Sequence, residues 1–190
     1  MSSPSGWQAW VSGQVDILNN IASNLLSVQR LVTGSAYIIG ILFAIKAIYT
    51  LKSYGESRSM MSNQKDLKEP LIYFAIAGIL IYFPTGLAMM LQTTFGASSI
   101  LEYAPVTSTN PGISFLFGAD STVGRPLTII IQTIGVIAFI RGWVLIARAA
   151  SSGQPPGGTG KGLMHVFGGI FAMNIIATLE IINNTLYGTS

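Results

Sequence analysis

The chain has 190 residues, of which 50% are hydrophobic and only 9% charged, with 10 basic against 7 acidic side chains. A soluble domain of this size could not cover its core with so few charges, since about 25% is usual; a mean hydropathy of +0.57 suits lipid as the outer solvent. The absence of cysteine excludes disulfide frameworks and thiolate chemistry, and one histidine, His165, argues against a histidine metal site or a catalytic triad, so no enzyme is expected.

The start, MSSPSGWQAWVSGQ, lacks the basic and continuous apolar regions of a cleavable signal, so the chain is expected to keep it. Residues 1–30 form the first predicted unit. Trp7, Trp10, Val11, Val15, Leu18, Ile21, Leu25 and Val28 draw one helical stripe, with polar residues largely on other faces. This predicts an amphipathic helix lying on the membrane or docked on its own bundle.

Four apolar stretches follow, each long enough for a ~30 Å hydrocarbon core, which needs about 20 helical residues. They run over residues 31–51, 71–91, 126–147 and 163–186. The predicted fold is therefore all-α: four transmembrane helices as two tandem hairpins behind the amphipathic helix. The hairpins occupy residues 31–91 and 126–190. Pro70 and Pro126 fall where a first helical turn tolerates proline, and Pro84 should kink the second span. The connection 92–125 is long for a mere link and should pack against something.

Charge placement predicts orientation. The first connection carries Lys52, Arg58, Lys65 and Lys68, and the third carries Arg148 and Lys161, whereas the second has only Arg125. By the positive-inside rule the first and third connections are cytoplasmic, and both termini face the other side. Arg30 is the exception.

Spans one and three share a pattern: Ile39-Gly40-Ile41-Leu42-Phe43-Ala44-Ile45-Lys46 aligns with Ile134-Gly135-Val136-Ile137-Ala138-Phe139-Ile140-Arg141. Spans two and four share Ala77-Gly78-Ile79 against Gly168-Gly169-Ile170. The chain thus reads as two parallel copies of one helical hairpin.

Lys46 and Arg141 are the sharpest candidates for function. A cation at the bilayer centre costs about 2.5–3.5 kcal/mol on insertion scales. Either the long side chains snorkel, or they meet a lumen or lipid headgroups together with Lys52, Arg58, Lys65, Lys68, Arg148 and Lys161. No cofactor is expected, a bound phospholipid apart. Glu180, the one acid inside a span, is expected to pair with Arg125 within or between subunits. Gly34, Gly40, Gly78, Gly135, Gly168, Gly169 and Ala172 are candidate helix contacts, because close backbone approach drives association in lipid.

Two patterns are decoys. Pro155-Pro156-Gly157-Gly158-Thr159-Gly160-Lys161-Gly162 only loosely resembles a phosphate-binding loop, lacking its first glycine and the Ser/Thr after lysine. Asn183-Asn184-Thr185 matches a glycosylation acceptor formally but ends a span.

Leu31-Val32-Thr33-Gly34-Ser35-Ala36-Tyr37-Ile38-Ile39-Gly40, Leu51-Lys52-Ser53-Tyr54-Gly55-Glu56, Ser57-Arg58-Ser59-Met60-Met61-Ser62, Glu69-Pro70-Leu71 and Tyr82-Phe83-Pro84-Thr85 carry a family resemblance. Over residues 28–96 the sequence resembles the IcmC/DotE group, small inner-membrane proteins of type IVB (Dot/Icm) secretion systems and of IncI-type conjugation systems. The resemblance implies a bacterial inner-membrane location, other secretion-system membrane components as partners, and a protein or DNA passenger. It brings no catalytic residues. The repeated hairpin also resembles type IV secretion pilins, which suggests a duplicated pilin-like subunit that self-associates into a ring, channel or filament. A small transporter or ion channel is the alternative; it should bring ionisable groups together at mid-membrane, whereas Lys46, Arg141 and Glu180 lie toward the edges.

Overall fold

The computed structural model describes residues 6–59, 67–96, 103–108, 110–151 and 157–188, with the side chains of residues 6–11, 58 and 59 left out of the description. Among the described residues the chain is all-helical. The elements are α1 (Gly6–Ser59), α2 (Lys68–Ile81), α3 (Phe83–Phe95), α4 (Pro111–Phe117), α5 (Gly124–Ala149), α6 (Gly158–Met173) and α7 (Ile175–Tyr187).

The expected separate N-terminal helix does not appear. α1 is one uninterrupted helix of 54 residues, about 81 Å long at ~1.5 Å per residue. Nothing between residues 6 and 59 breaks it: there is no proline, and isolated glycines lower helix propensity without ending a helix. Its inward seam runs through Val15, Leu18, Ala22, Leu25, Gln29, Val32, Ala36, Ile39 and Phe43, all buried or half-buried, at alternating spacings of three and four. That is the period of a helix packed along a neighbour. Of the predicted stripe, Val15, Leu18 and Leu25 lie on this seam. Ile21 and Val28 are exposed, displaced by Ala22, which is small enough for close contact, and by Gln29, which bonds to α5. Trp7, Trp10 and Val11 lie outside the described side chains.

The second and fourth spans are not straight. α2 and α3 meet at 90°, and α6 and α7 at 91°. α2 has 14 residues and α6 has 16, about 21 and 24 Å, short of the ~30 Å core. Among the described residues two helices, α1 and α5, are long and apolar enough to cross a membrane, and there are up to four spans if each bent pair counts as one. At the first break Pro84 is the second residue of α3. It has no N–H for the carbonyl four residues back and its ring crowds that carbonyl, so the proline produces a break where only a kink was expected. The second break has no proline. Asn174 sits there, buried, with φ −114° and ψ 54°, and short polar side chains favour such ends over helix interiors. The Thr178 hydroxyl donates to the Phe171 and Asn174 carbonyls at 2.9 Å each, and so meets the Phe171 carbonyl that the break leaves over.

The main core joins α1, α2, α3, α5 and α6 around Tyr73, Leu80, Phe83, Val136, Phe139 and Met173. Phe83 and Phe139 meet edge to face at 5.9 Å. The connection after α3 packs as expected: Tyr103, Val106, Ile113 and Phe117 close over Leu127, Ile131 and Ile176 of α5 and α7. Its ties are polar as well. Ser108 donates to Asn183 at 2.5 Å, the Asn110 amide donates to Tyr187 at 2.8 Å, and Asn110 caps α4 by accepting from Gly112 at 2.9 Å. Asn183, the formal glycosylation residue, is buried in this contact.

Candidate functional site: a basic groove between α1 and α5

Two packing patterns set the site. The first is a glycine interlock between α5 and α6. A Cβ on Gly135 would stand 2.8 Å from Met173 N, and one on Gly169 would stand 2.7 Å from Gly135 O. One turn pair along, a Cβ on Gly142 would meet Val166 at 2.6 Å, and one on Gly162 would meet Ile146 at 2.6 Å. The two glycines on each helix are seven residues apart, so they share a face and let the backbones touch. Gly135 and Gly169 were legible as contacts; Gly142 and Gly162 were missed, although their seven-residue spacing is visible. Ala172 lies beside Gly135. Gly34, Gly78 and Gly168 make no such contact among the described residues, since a Cβ at each would meet nothing within 4 Å.

The second pattern is its counterpart in the first hairpin. A Cβ on Gly40 would stand 2.9 Å from Ile81 N, the last residue of α2, just as Gly135 stands against the last residue of α6. Beyond each lies the break, at Tyr82 (φ −94°, ψ 34°) and at Asn174 (φ −114°, ψ 54°). The N–H of Tyr82 bonds to Gly78 O, and that of Asn174 to Ile170 O. The breaks therefore place Gly78 opposite Ile170, and Ala77 opposite Gly169. The alignment of spans two and four read from sequence is one residue out of register, because a run of small and apolar residues has no feature to pin it.

α1 and α5 run in the same sense. Gln29 donates to Thr133 at 2.8 Å, and further along both helices an open groove of about 500 Å³ lies between them. Val32, Ser35 and Ile39 line one side; Ile137, Ile140, Arg141, Val144, Leu145 and Arg148 line the other. Arg141 and Arg148 are seven residues apart and so lie on one face, about 10 Å from each other along the axis. Among the described residues no carboxylate pairs with either.

The equivalent base of the first hairpin is used differently. Lys46 Nζ lies 4.6 Å from the centre of the Tyr73 ring, a cation–π contact worth about 0.5–1 kcal/mol where exposed. Tyr73 also stacks on Phe43 at 5.8 Å and shares a hydrogen bond with Ser151, past the end of α5. Tyr73 thus ties the two hairpins together at the end of the bundle that holds Lys52, Lys68, Arg148 and Lys161. Lys52 pairs with Glu56 at 3.7 Å on an exposed surface, which contributes little. The Arg58 side chain and Lys65 lie outside the described residues.

At the opposite end Arg125 and Glu180 are both exposed, and no ion pair joins them within the chain. A pair between them would have to join two subunits. Burial affects Tyr103: desolvation raises its phenol pKa above the ordinary value of 10.0, while the hydroxyl donates to the Phe117 and Gly118 carbonyls at 3.1 Å each.

These features define an all-helical protein with apolar helices long enough to span a membrane. No protein-family profile, curated protein or solved structure matches the chain.

Proposed function

We propose that this protein is a structural membrane subunit of a type IVB secretion or conjugation system, a pilin-like chain that self-associates into a channel, ring or filament for protein or DNA transfer. The observation that carries the reading is the repetition of one hairpin. Each copy has a helix against a shorter partner, a glycine against the partner's last residue, and a break of about 90° beyond it. Duplicated units that lie in one sense pack by the same surfaces that would pack neighbouring chains. The resemblance of residues 28–96 to the IcmC/DotE group supplies the machine and its other membrane components as partners.

The bases gathered at one end support an inner-membrane orientation with that end cytoplasmic and both termini periplasmic. A basic lumen end would favour nucleic acid or acidic protein in transit, with salt-sensitive contacts. Electron microscopy of tagged protein, in detergent-extracted membranes and in sheared surface material, tests the proposal. Rings or filaments built mainly from this chain support it. Single copies held in larger membrane complexes would reduce the chain to an accessory subunit, and free monomers without partners would leave the small-channel alternative.

A further inference from the structure

We infer that the groove between α1 and α5 binds an anionic phospholipid, with Arg141 and Arg148 on the headgroup phosphate and an acyl chain along the apolar wall. The inference does not depend on the secretion reading. It starts from a cost: an arginine well inside a helix is expensive to place in lipid unless something meets it. Lys46 meets the Tyr73 ring. Among the described residues Arg141 meets no aromatic face or carboxylate, and it lines the groove with Arg148.

The chemistry fits a phosphate. A guanidinium is always charged, is more weakly hydrated than an ammonium, and presents paired donors that match phosphate oxygens. Arg148 lies in the last turn of α5, at the basic end of the bundle. Arg141 lies about 10 Å further in, within reach of the same headgroup when its side chain extends toward the interface. Between and beyond them Val32, Ile39, Ile137 and Val144 give a hydrocarbon wall in a volume of about 500 Å³, inside the roughly 300–1,000 Å³ range of ligand pockets. Two positive heads over an apolar slot complement one negative amphiphile, the arrangement by which basic pockets between membrane helices hold acidic lipids. A soluble anion would leave the wall unused, and an apolar helix would leave both charges unmet.

The test is native mass spectrometry of the full chain, purified in mild detergent and offered phosphatidylglycerol or phosphatidylcholine. Phosphatidylglycerol should be retained about tenfold more than phosphatidylcholine, and Arg141→Gln with Arg148→Gln should remove that preference. Arg125→Gln, at the other end of α5, should leave it intact. The wild-type comparison stands even if the double variant folds poorly, and the double Arg→Lys variant, checked by circular dichroism, should keep part of the preference. Equal retention of the two lipids overturns the inference. So does an equal gain in thermal stability from inorganic phosphate, which would make the site one for a free anion. An intersubunit disulfide through Val144→Cys in native membranes would also overturn it, giving the groove to a second copy.

Discussion

Gly135 lies against the backbone of Met173, the last residue of α6, so closely that a Cβ there would stand 2.8 Å from the Met173 nitrogen. Gly40 bears the same relation to Ile81 in the first hairpin. In both hairpins this close approach falls where the second helix ends and the chain turns through about 90°.

Gly135→Ala should therefore lower stability by about 1–3 kcal/mol, the usual range for overpacking a tight contact. Gly168→Ala, with nothing within 4 Å of the added carbon, should leave stability unchanged or slightly higher, as alanine favours helix over glycine. Thermal unfolding of both variants in one detergent checks the contrast; equal losses would mean that α5 and α6 do not interlock through Gly135.

The seam between α1 and α5 offers a second test at Gln29. Its amide is held by the Thr133 hydroxyl, which is itself committed to the Ile129 carbonyl at 2.8 Å. Gln29→Leu removes one hydrogen bond without stranding the threonine donor, so a loss of about 1 kcal/mol is expected. Chemical unfolding of the purified variant would read it.

Spin labels at Leu71 and Thr93, both exposed, report the first break directly. A straight helix would separate the two backbones by about 33 Å, whereas arms meeting at the observed 90° bring them to about 23 Å. Pulsed electron spin resonance distinguishes these values. Pro84→Ala restores a backbone donor and should shift part of the population toward the longer distance.

Burial raises the phenol pKa of Tyr103 in the folded chain. The folded state therefore holds this proton more tightly than the unfolded state does. The contribution is fully present below the ordinary tyrosine value and is lost as pH rises from about 10 through the folded value. Docking of the 103–118 segment on α5 and α7 should weaken over that alkaline window, and Tyr103→Phe should abolish that part of the pH dependence. The variant should also lose about 1 kcal/mol with the hydroxyl's contacts to the Phe117 and Gly118 carbonyls. Hydrogen exchange in Phe117 and its neighbours, followed against pH, would show both effects.

Part of this was legible in advance. Scarce charge and apolar runs of about 20 residues place the helices, because a helix of that length satisfies its own backbone and matches the hydrocarbon core. The glycine six residues before each inner base marks Gly40 and Gly135 as equivalent positions. The groove was only half legible. Arg141 and Arg148 stood out as charges, but their joint face toward Val32 and Ile39 depends on how α1 lies along α5. The predicted stripe of α1 likewise held at Val15, Leu18 and Leu25 but gave way by one residue at Ile21 and Val28, where Ala22 and Gln29 took the inner positions.

By itself the sequence determined that this chain is helical, apolar enough for lipid, doubled in its pattern and basic at its turns, since these follow from composition and period alone. The tertiary structure decided which apolar faces meet one another, where α6 breaks without a proline, and which glycines interlock. The reason is physical: in lipid, a residue facing the bilayer and a residue facing a neighbouring helix are chosen from the same apolar set. Only the close approach of backbones, measured between particular atoms, tells the two faces apart.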